Sequence, residues 1–364
     1  MMSGERSAPM DFEVSLDGEK VPVRRGETIF EVGERHRAEI PSLCYDPRLE
    51  PFGGCRLCIV ELEGASVPVA SCTTRVEPGM VVTTKSARLE MHRRVLLEMV
   101  ASENRDIDVD PLSGYASQEM SELVDRYDAR RGRFQGATSG VSRPDDDNPF
   151  ILRDYENCIS CYRCVRVCAE QEGDYAISVM NRGFDTGITT EFNGLLKDSA
   201  CTFCGQCVQT CPTGALGDLK ALANAAVPGE TETTRTICPY CGVGCSVDVM
   251  TRGDRMVGVL PAMDGPANHG ALCVKGQFAF DFVQHPDRLA HPLVRGEDGD
   301  LHETDWDTAL DRAADGLRSV VEEHGRHSVY AVASGRAPHE AAYMMQRLMR
   351  AGLGSNHIDN CSRA

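Results

Sequence analysis

Sixteen of the seventeen cysteines in this 364-residue chain fall into four groups of four, separated by long stretches without cysteine. Cys44, Cys55, Cys58 and Cys72 have ten, two and thirteen residues between them. Cys158, Cys161, Cys164 and Cys168 have two, two and three, and Cys201, Cys204, Cys207 and Cys211 repeat that spacing with Pro212 following. Cys238, Cys241, Cys245 and Cys273 have two, three and twenty-seven. The odd one, Cys361, stands apart. A chain this long does not need disulfide staples to make up for a small core. In a reducing compartment, thiols at short fixed spacing hold metal or do redox chemistry. Zinc is one such metal, although its sites usually pair two short-spaced knuckles and the first quartet has only one.

The elements that must position the first quartet are legible around it. Phe12, Val14 and Leu16 alternate, Asp17-Gly18 makes a hairpin turn, and Val21 and Val23 resume the alternation. A short helix is expected from about Thr28 to His36, then the loop PFGGCRLC, then strands at CIVEL, VPVAS and MVVTT. Gly53 and Gly54 let the backbone curl round a buried ion without side-chain clash. Strand, hairpin, helix and cysteine loop together resemble the β-grasp fold of plant-type ferredoxins. The closer match is the variant that opens the large iron–sulfur subunits of NADH dehydrogenases, certain hydrogenases and formate dehydrogenases. The resemblance implies one [2Fe–2S] cluster on Cys44, Cys55, Cys58 and Cys72.

The second and third quartets carry the bacterial two-cluster ferredoxin signature, in which the fourth cysteine of each run ligates the other cluster. Cys158, Cys161, Cys164 and Cys211 are thus expected on one [4Fe–4S] cube, and Cys201, Cys204, Cys207 and Cys168 on the other. Ala169 stands where the first run would have its proline. The fourth quartet lies around a hairpin, with strands at VDVM and MVGVL joined at Gly253-Asp254. It resembles the [4Fe–4S] domain at the head of molybdenum or tungsten bis-pterin oxidoreductases, formate dehydrogenases in particular. Three [4Fe–4S] clusters are expected in all. Lys275 matches the family lysine between cluster and pterin and is expected to assist electron transfer.

Between these blocks, RLEMHRRVLLEMVASEN places Leu89, Leu96, Met99 and Val100 at helical spacing, with His92 at the surface or boundary. A second helix, SQEMSELVDRYDARR, puts Met120, Leu123, Val124 and Tyr127 on one face. In the related NADH-dehydrogenase and hydrogenase subunits, the intervening segment supplies a histidine and three cysteines to a further cluster. Here it contains neither residue type, so that cluster is expected to be absent. The run from Ser142 to Pro149 has the composition of an exposed linker; its three aspartates, Asp145 to Asp147, read as a solvated turn rather than a calcium site. A second linker is expected at ALANAAVPGETETT.

After Cys273 the pattern changes to helix DWDTALDRAADGLRSVVEEH, capped by Asp305 or Asp307, a buried strand VYAVAS, the turn Ser334-Gly335-Arg336 and the helix EAAYMMQRLMRAG. That is the start of a doubly wound α/β domain, whose turns hold phosphates on backbone amides. The segment GSNHIDNCSRA resembles the formate dehydrogenase stretch in which the equivalents of Asp359, Cys361, Ser362 and Arg363 precede the molybdenum ligand. The resemblance implies a Mo or W bis-molybdopterin guanine dinucleotide touched by Ser334, Gly335, Arg336, Asp359, Cys361, Ser362 and Arg363. The catalytic cysteine or selenocysteine is expected directly after Ala364, with codon 365 a UGA read as selenocysteine; no catalytic ligand lies within the chain itself.

The fold class expected is α+β and multidomain: a β-grasp [2Fe–2S] domain at 10–87, a helical connector at 88–148, a two-[4Fe–4S] ferredoxin-type domain at 149–222, a small β-rich [4Fe–4S] domain at 231–287 and the beginning of a molybdopterin domain at 288–364. The function implied is passage of electrons from formate oxidation through these clusters to NAD by way of a flavin-bearing diaphorase-type subunit, or to a ferredoxin. The alternative is a non-catalytic electron-transfer subunit of an NADH dehydrogenase or hydrogenase. A formal charge of −17 argues against nucleic acid and anionic membrane surfaces as partners. No signal peptide or spanning segment is evident, so a cytoplasmic location is expected.

Overall fold

The computed structural model describes residues 11–102, 119–130, 132–134, 148–224, 230–335 and 337–361. The chain divides into two compact units, Met1–Glu230 and Thr231–Ala364.

In the first unit, β1 (Phe12–Leu16) and β2 (Glu19–Val23) form the expected hairpin, with Asp17 and Gly18 both at positive φ as a tight turn requires. Helix α1 (Ile29–Arg35) opens on a capping box: Thr28 Oγ1 accepts from the Glu31 amide, and the Glu31 carboxylate accepts from the Thr28 amide. Strands β3 (Ile59–Leu62), β4 (Val69–Ala70) and β5 (Val81–Thr83) complete a five-stranded sheet in the order β2-β1-β5-β3-β4, with β1 and β5 parallel. Its inward side chains, among them Val14, Val23, Val60 and Val82, close with Ile29 and Val32 of α1 into one apolar core.

Helix α2 (Ala87–Ala101), capped by Ser86, and α3 (Glu119–Arg126) pack on the cysteine loop. Leu97, Ala101, Met120, Val124 and Tyr127 surround Leu43 and Leu57, so each helix presses on a residue beside a thiol. The buried stripe of α2 is Leu89, Arg93, Leu97 and Ala101, at a spacing of four. This corrects the expected face, since Met99 is 52% exposed. Arg93 is held in the stripe by a hydrogen bond from its guanidinium to the Ile59 carbonyl at 2.8 Å and by the Glu90 carboxylate at 3.6 Å.

Next, β6 (Ile151–Arg153) pairs with a later strand, α4 (Arg163–Val167) runs into a π turn over Cys168–Glu172, and β7 (Ile177–Met180) pairs with β8 (Gly187–Thr190). Helix α5 (Gln206–Gln209), β9 (Leu216–Asp218) and α6 (Leu219–Ala223) close the unit, β9 returning antiparallel to β6. Asn148, at the end of the expected linker, is buried and caps β6 by accepting from the Phe150 and Ile151 amides. Residues 142–147 of that linker, with its three aspartates, and residues 103–118 lie outside the described residues.

The second unit begins with β10 (Glu232–Ile237), β11 (Ser246–Arg252) and β12 (Arg255–Pro261), an antiparallel sheet in that order. The second linker expected from the sequence is therefore shorter: Glu232, Thr233 and Thr234 belong to β10 and pair with β11. Helix α7 (Val274–Phe278) follows, then the hairpin β13 (Leu293–Arg295) and β14 (Leu301–Glu303). Helix α8 (Trp306–His324) is capped by Asp305, whose carboxylate accepts from the Thr308 amide at 2.8 Å. Strand β15 (Ala331–Ala333), α9 (His339–Arg347) and β16 (Ile358–Asn360) complete the order, β15 and β16 running parallel. The strand expected to be buried is not: Val332 is 57% exposed, because among the described residues this sheet has two strands and α8 buries none of its side chains.

Candidate metal centres

The first quartet is gathered as two close pairs. The Cys58 and Cys72 sulfurs lie 3.3 Å apart, and the Cys55 amide donates to Cys44 Sγ at 3.4 Å while the Leu43 amide donates to Cys55 Sγ at 3.4 Å. Hydrogen bonding to the partner thiol lowers Cys55 to about 5 and Cys58 to about 7, and raises Cys44 and Cys72. The two glycines of the loop act differently. Gly53 has φ +70, whereas Gly54 is needed for space, since a Cβ there would collide with the Phe52 ring.

The second and third quartets show an internal repeat of backbone geometry. Ser160 and Tyr162 have positive φ, as do Phe203 and Gly205 at the corresponding places. Each bend turns an amide onto the leading thiol: Ser160 N–H donates to Cys158 Sγ at 3.4 Å and Phe203 N–H to Cys201 Sγ at 3.3 Å. Cys158, Cys161, Cys164 and Cys211 line one small cavity with Tyr155 and Ile188. Burial, then the negative charge of Cys211, pushes Cys161 up to about 12. Burial likewise pushes Cys204 up to about 12, with Cys201 and Cys168 adding to it. Cys211 thus shares a cavity with three thiols of the other run, and the charge of Cys168 reaches Cys204.

In the fourth quartet the Cys238 amide donates to the Cys245 carbonyl at 2.8 Å, closing the loop. Burial raises Cys238 and Cys245, and the charges of Cys241 and Cys273 add to both shifts. Gly276 packs here without a side chain, its Cβ position 3.7 Å from Cys238 Sγ. Asn268 and Gln277 hold this arrangement. Asn268 accepts from the Ser246 amide at 2.8 Å and donates to the Ser246 carbonyl, and Gln277 donates to the Val259 carbonyl at 2.9 Å. Sequence reasoning passed over both, since a lone amide side chain has no spacing signature. Lys275 lies exposed on α7, two residues after Cys273.

The turn expected to meet a pterin sits against this quartet. Gly242 N–H donates to the Gly335 carbonyl at 3.2 Å, and Gly335 N–H donates to Cys361 Sγ at 3.1 Å. Cys361 Sγ is also 3.9 Å from Ser334 Oγ, and Asp359 is in β16 beside them. Arg336, Ser362, Arg363 and Ala364 lie outside the described residues.

Among the described residues, no three histidine, cysteine or acidic side chains close on one point as a single ion requires. All-thiol quartets backed by amide donors are a donor set that suits a polynuclear iron–sulfur cluster. No helix among the described residues is long and apolar enough to cross a membrane.

Comparison with known proteins agrees with this layout. Residues 10–87 match the 2Fe-2S iron-sulfur cluster binding domain, 148–217 the ferredoxin-like domain of NADH-quinone oxidoreductase subunit 3, 231–285 the molybdopterin oxidoreductase Fe4S4 domain and 288–364 the molybdopterin oxidoreductase family. The NADPH-Fe(3+) oxidoreductase subunit alpha of Geobacter sulfurreducens is 34% identical over 96% of this chain and 40% of its own length. A G-type NADH-quinone oxidoreductase chain of Rhizobium meliloti is 34% identical, again over 96% of this chain and 40% of its own. A Staphylococcus haemolyticus protein provisionally named formate dehydrogenase is 29% identical over 96% and 39%. The chain thus spans about 40% of the length of the curated relatives it matches. The crystal structure of an NAD+-reducing [NiFe]-hydrogenase aligns over 57% of this chain and 87% of that chain, at 31% identity and a TM-score of 0.51. These matches together make up the N-terminal region of a molybdopterin oxidoreductase, with its 2Fe-2S and 4Fe-4S domains.

Proposed function

We propose that this chain is the iron–sulfur electron-transfer portion of a formate dehydrogenase, with one [2Fe–2S] and three [4Fe–4S] clusters on the sixteen quartet cysteines. When bound, the clusters supply one-electron redox steps, and a Mo or W bis-pterin supplies a centre for two-electron chemistry on formate. The chain's own residues give the thiolates, bury Cys44, Cys58, Cys72, Cys164, Cys211 and Cys238 away from water, and direct the Leu43, Cys55, Ser160 and Phe203 amides at the sulfurs. Amide donors stabilise negative charge on sulfur and so tune potential.

The observation that carries the reading is the chain of contacts from the Cys241-Gly242 loop through Gly335 to Cys361, which puts the fourth quartet beside the phosphate-binding type of turn. In this reading Ser334, Gly335, Arg336, Asp359, Cys361, Ser362 and Arg363 face the pterin, and Lys275 assists electron passage. A flavin subunit that reduces NAD, or a ferredoxin, takes the electrons.

A second reading is favoured by sequence identity, which is higher to the NADPH-Fe(3+) and NADH-quinone oxidoreductase subunits than to the provisionally named formate dehydrogenase. There the chain serves electrons drawn from a reduced nicotinamide. The test is anaerobic dye reduction by the full gene product. Reduction with formate is expected; no reduction with formate at full cluster and pterin loading overturns this reading and leaves the second.

A further inference from the structure

The first unit contains a polar junction that none of the cluster spacings requires. Two residues after Cys44, the Asp46 carboxylate accepts from the Arg48 guanidinium on both oxygens, at 2.9 Å and 2.7 Å. The same carboxylate accepts from Thr210 Oγ1 at 2.7 Å, and Arg48 donates to Gln206 Oε1 at 3.2 Å. Gln206 directly precedes Cys207 on α5, and Thr210 directly precedes Cys211. Asp46, Gln206 and Thr210 are all buried. Further along, the Glu50 amide donates to Glu170 at 2.9 Å, Gln171 donates to the Arg48 carbonyl at 2.5 Å, and the Arg166 guanidinium lies 5.3 Å from the Phe52 ring centre.

A buried bidentate ion pair adds little net stability, because desolvation offsets the attraction, but it tolerates little change in geometry. Its placement is therefore informative. One end is fixed to the loop that carries Cys44, the other to the helix that carries Cys207 and leads to Cys211.

We propose that Asp46, Arg48, Gln206 and Thr210 form a positioning latch that fixes the distance between the Cys44 quartet and the cysteines of the ferredoxin-like domain by joining their two ligand loops. The latch rests on the reading of those cysteines as cluster ligands and adds to it a control over cluster spacing.

The full chain, rebuilt with iron and sulfide anaerobically and then reduced, provides the test. In the wild type, the spin relaxation of the [2Fe–2S] signal is expected to be enhanced by the neighbouring paramagnetic cluster. Thr210→Val and Arg48→Lys are expected to lose that enhancement while keeping iron content and signal shape, and Thr210→Ser, which retains the hydroxyl, to restore it. Unchanged enhancement in Thr210→Val and Arg48→Lys at full iron content overturns the latch and leaves the cluster reading standing. A wild-type chain that rebuilds no [2Fe–2S] signal overturns both. Where a variant takes up less iron, amide exchange of Thr210→Val decides: acceleration of about tenfold or more at 44–52 and 206–211 together supports the latch, and wild-type exchange at either loop overturns it.

Discussion

Cys211 lines one cavity with Cys158, Cys161 and Cys164, and the charge of Cys168 acts on Cys204, which agrees with ligand exchange between the two runs. In the proposed ligand sets, Cys211→Ser removes the cluster of Cys158, and Cys168→Ser that of Cys201. Each variant is expected to lose about four irons of about 14. The reduced spectrum of Cys211→Ser should match that of Cys158→Ser and differ from that of Cys201→Ser; the reverse pairing would refute the exchange. Glu98 offers a residue-scale test away from the clusters. Burial raises its pKa, but the Arg130 amide and the Arg133 guanidinium outweigh that and hold it below the usual carboxylate range. A depressed folded-state pKa contributes stability above the unfolded value, about 4.3, that is lost as pH falls through the folded value. Glu98→Gln is therefore expected to melt below the wild type at neutral pH, with the difference closing as the solution is acidified below about pH 4.

At the scale of elements, the helices are stops that hold the thiol loops in place. Leu97 of α2 is fully buried against Leu43 and Leu57, the neighbours of Cys44 and Cys58. Leu97→Ala is expected to cost about 2–5 kcal/mol, and Met99→Ala, two residues on but exposed, within about 0.5 kcal/mol. Denaturant titration of the two variants checks the contrast. The helical face expected from the sequence includes Met99 and misses Arg93, because periodicity counts apolar residues and cannot see a guanidinium held by the Ile59 carbonyl and Glu90. The hairpin at Asp17-Gly18, the helix beginning near Thr28 and a cap at Asp305 or Asp307 were legible, since each is set by local backbone chemistry. Strand β10 was not: its residues are all exposed and, Ile237 apart, polar, and it becomes a strand only by pairing with β11. The quartets could be read from spacing alone. The Asp46–Thr210 junction could not, because its partners are 164 residues apart.

Across the whole molecule, two compact units carry four thiol quartets, three in the first unit and one in the second. In the second unit, Trp306, Leu310, Tyr343 and Leu348 are exposed on α8 and on or beside α9, where the chain's own described residues do not cover them. The domain matches fit this picture: segments matching iron-sulfur domains precede one matching the molybdopterin oxidoreductase family, and the chain spans about 40% of its curated relatives' length. The account stands on the quartets being iron–sulfur ligands, and anaerobic metal analysis joined to electron paramagnetic resonance of the reduced protein tests that most directly. About 14 irons per chain, with one [2Fe–2S] signal beside [4Fe–4S] signals, is the expected result. Zinc in stoichiometric amount at any quartet, or no [2Fe–2S] signal at full iron loading, would contradict it.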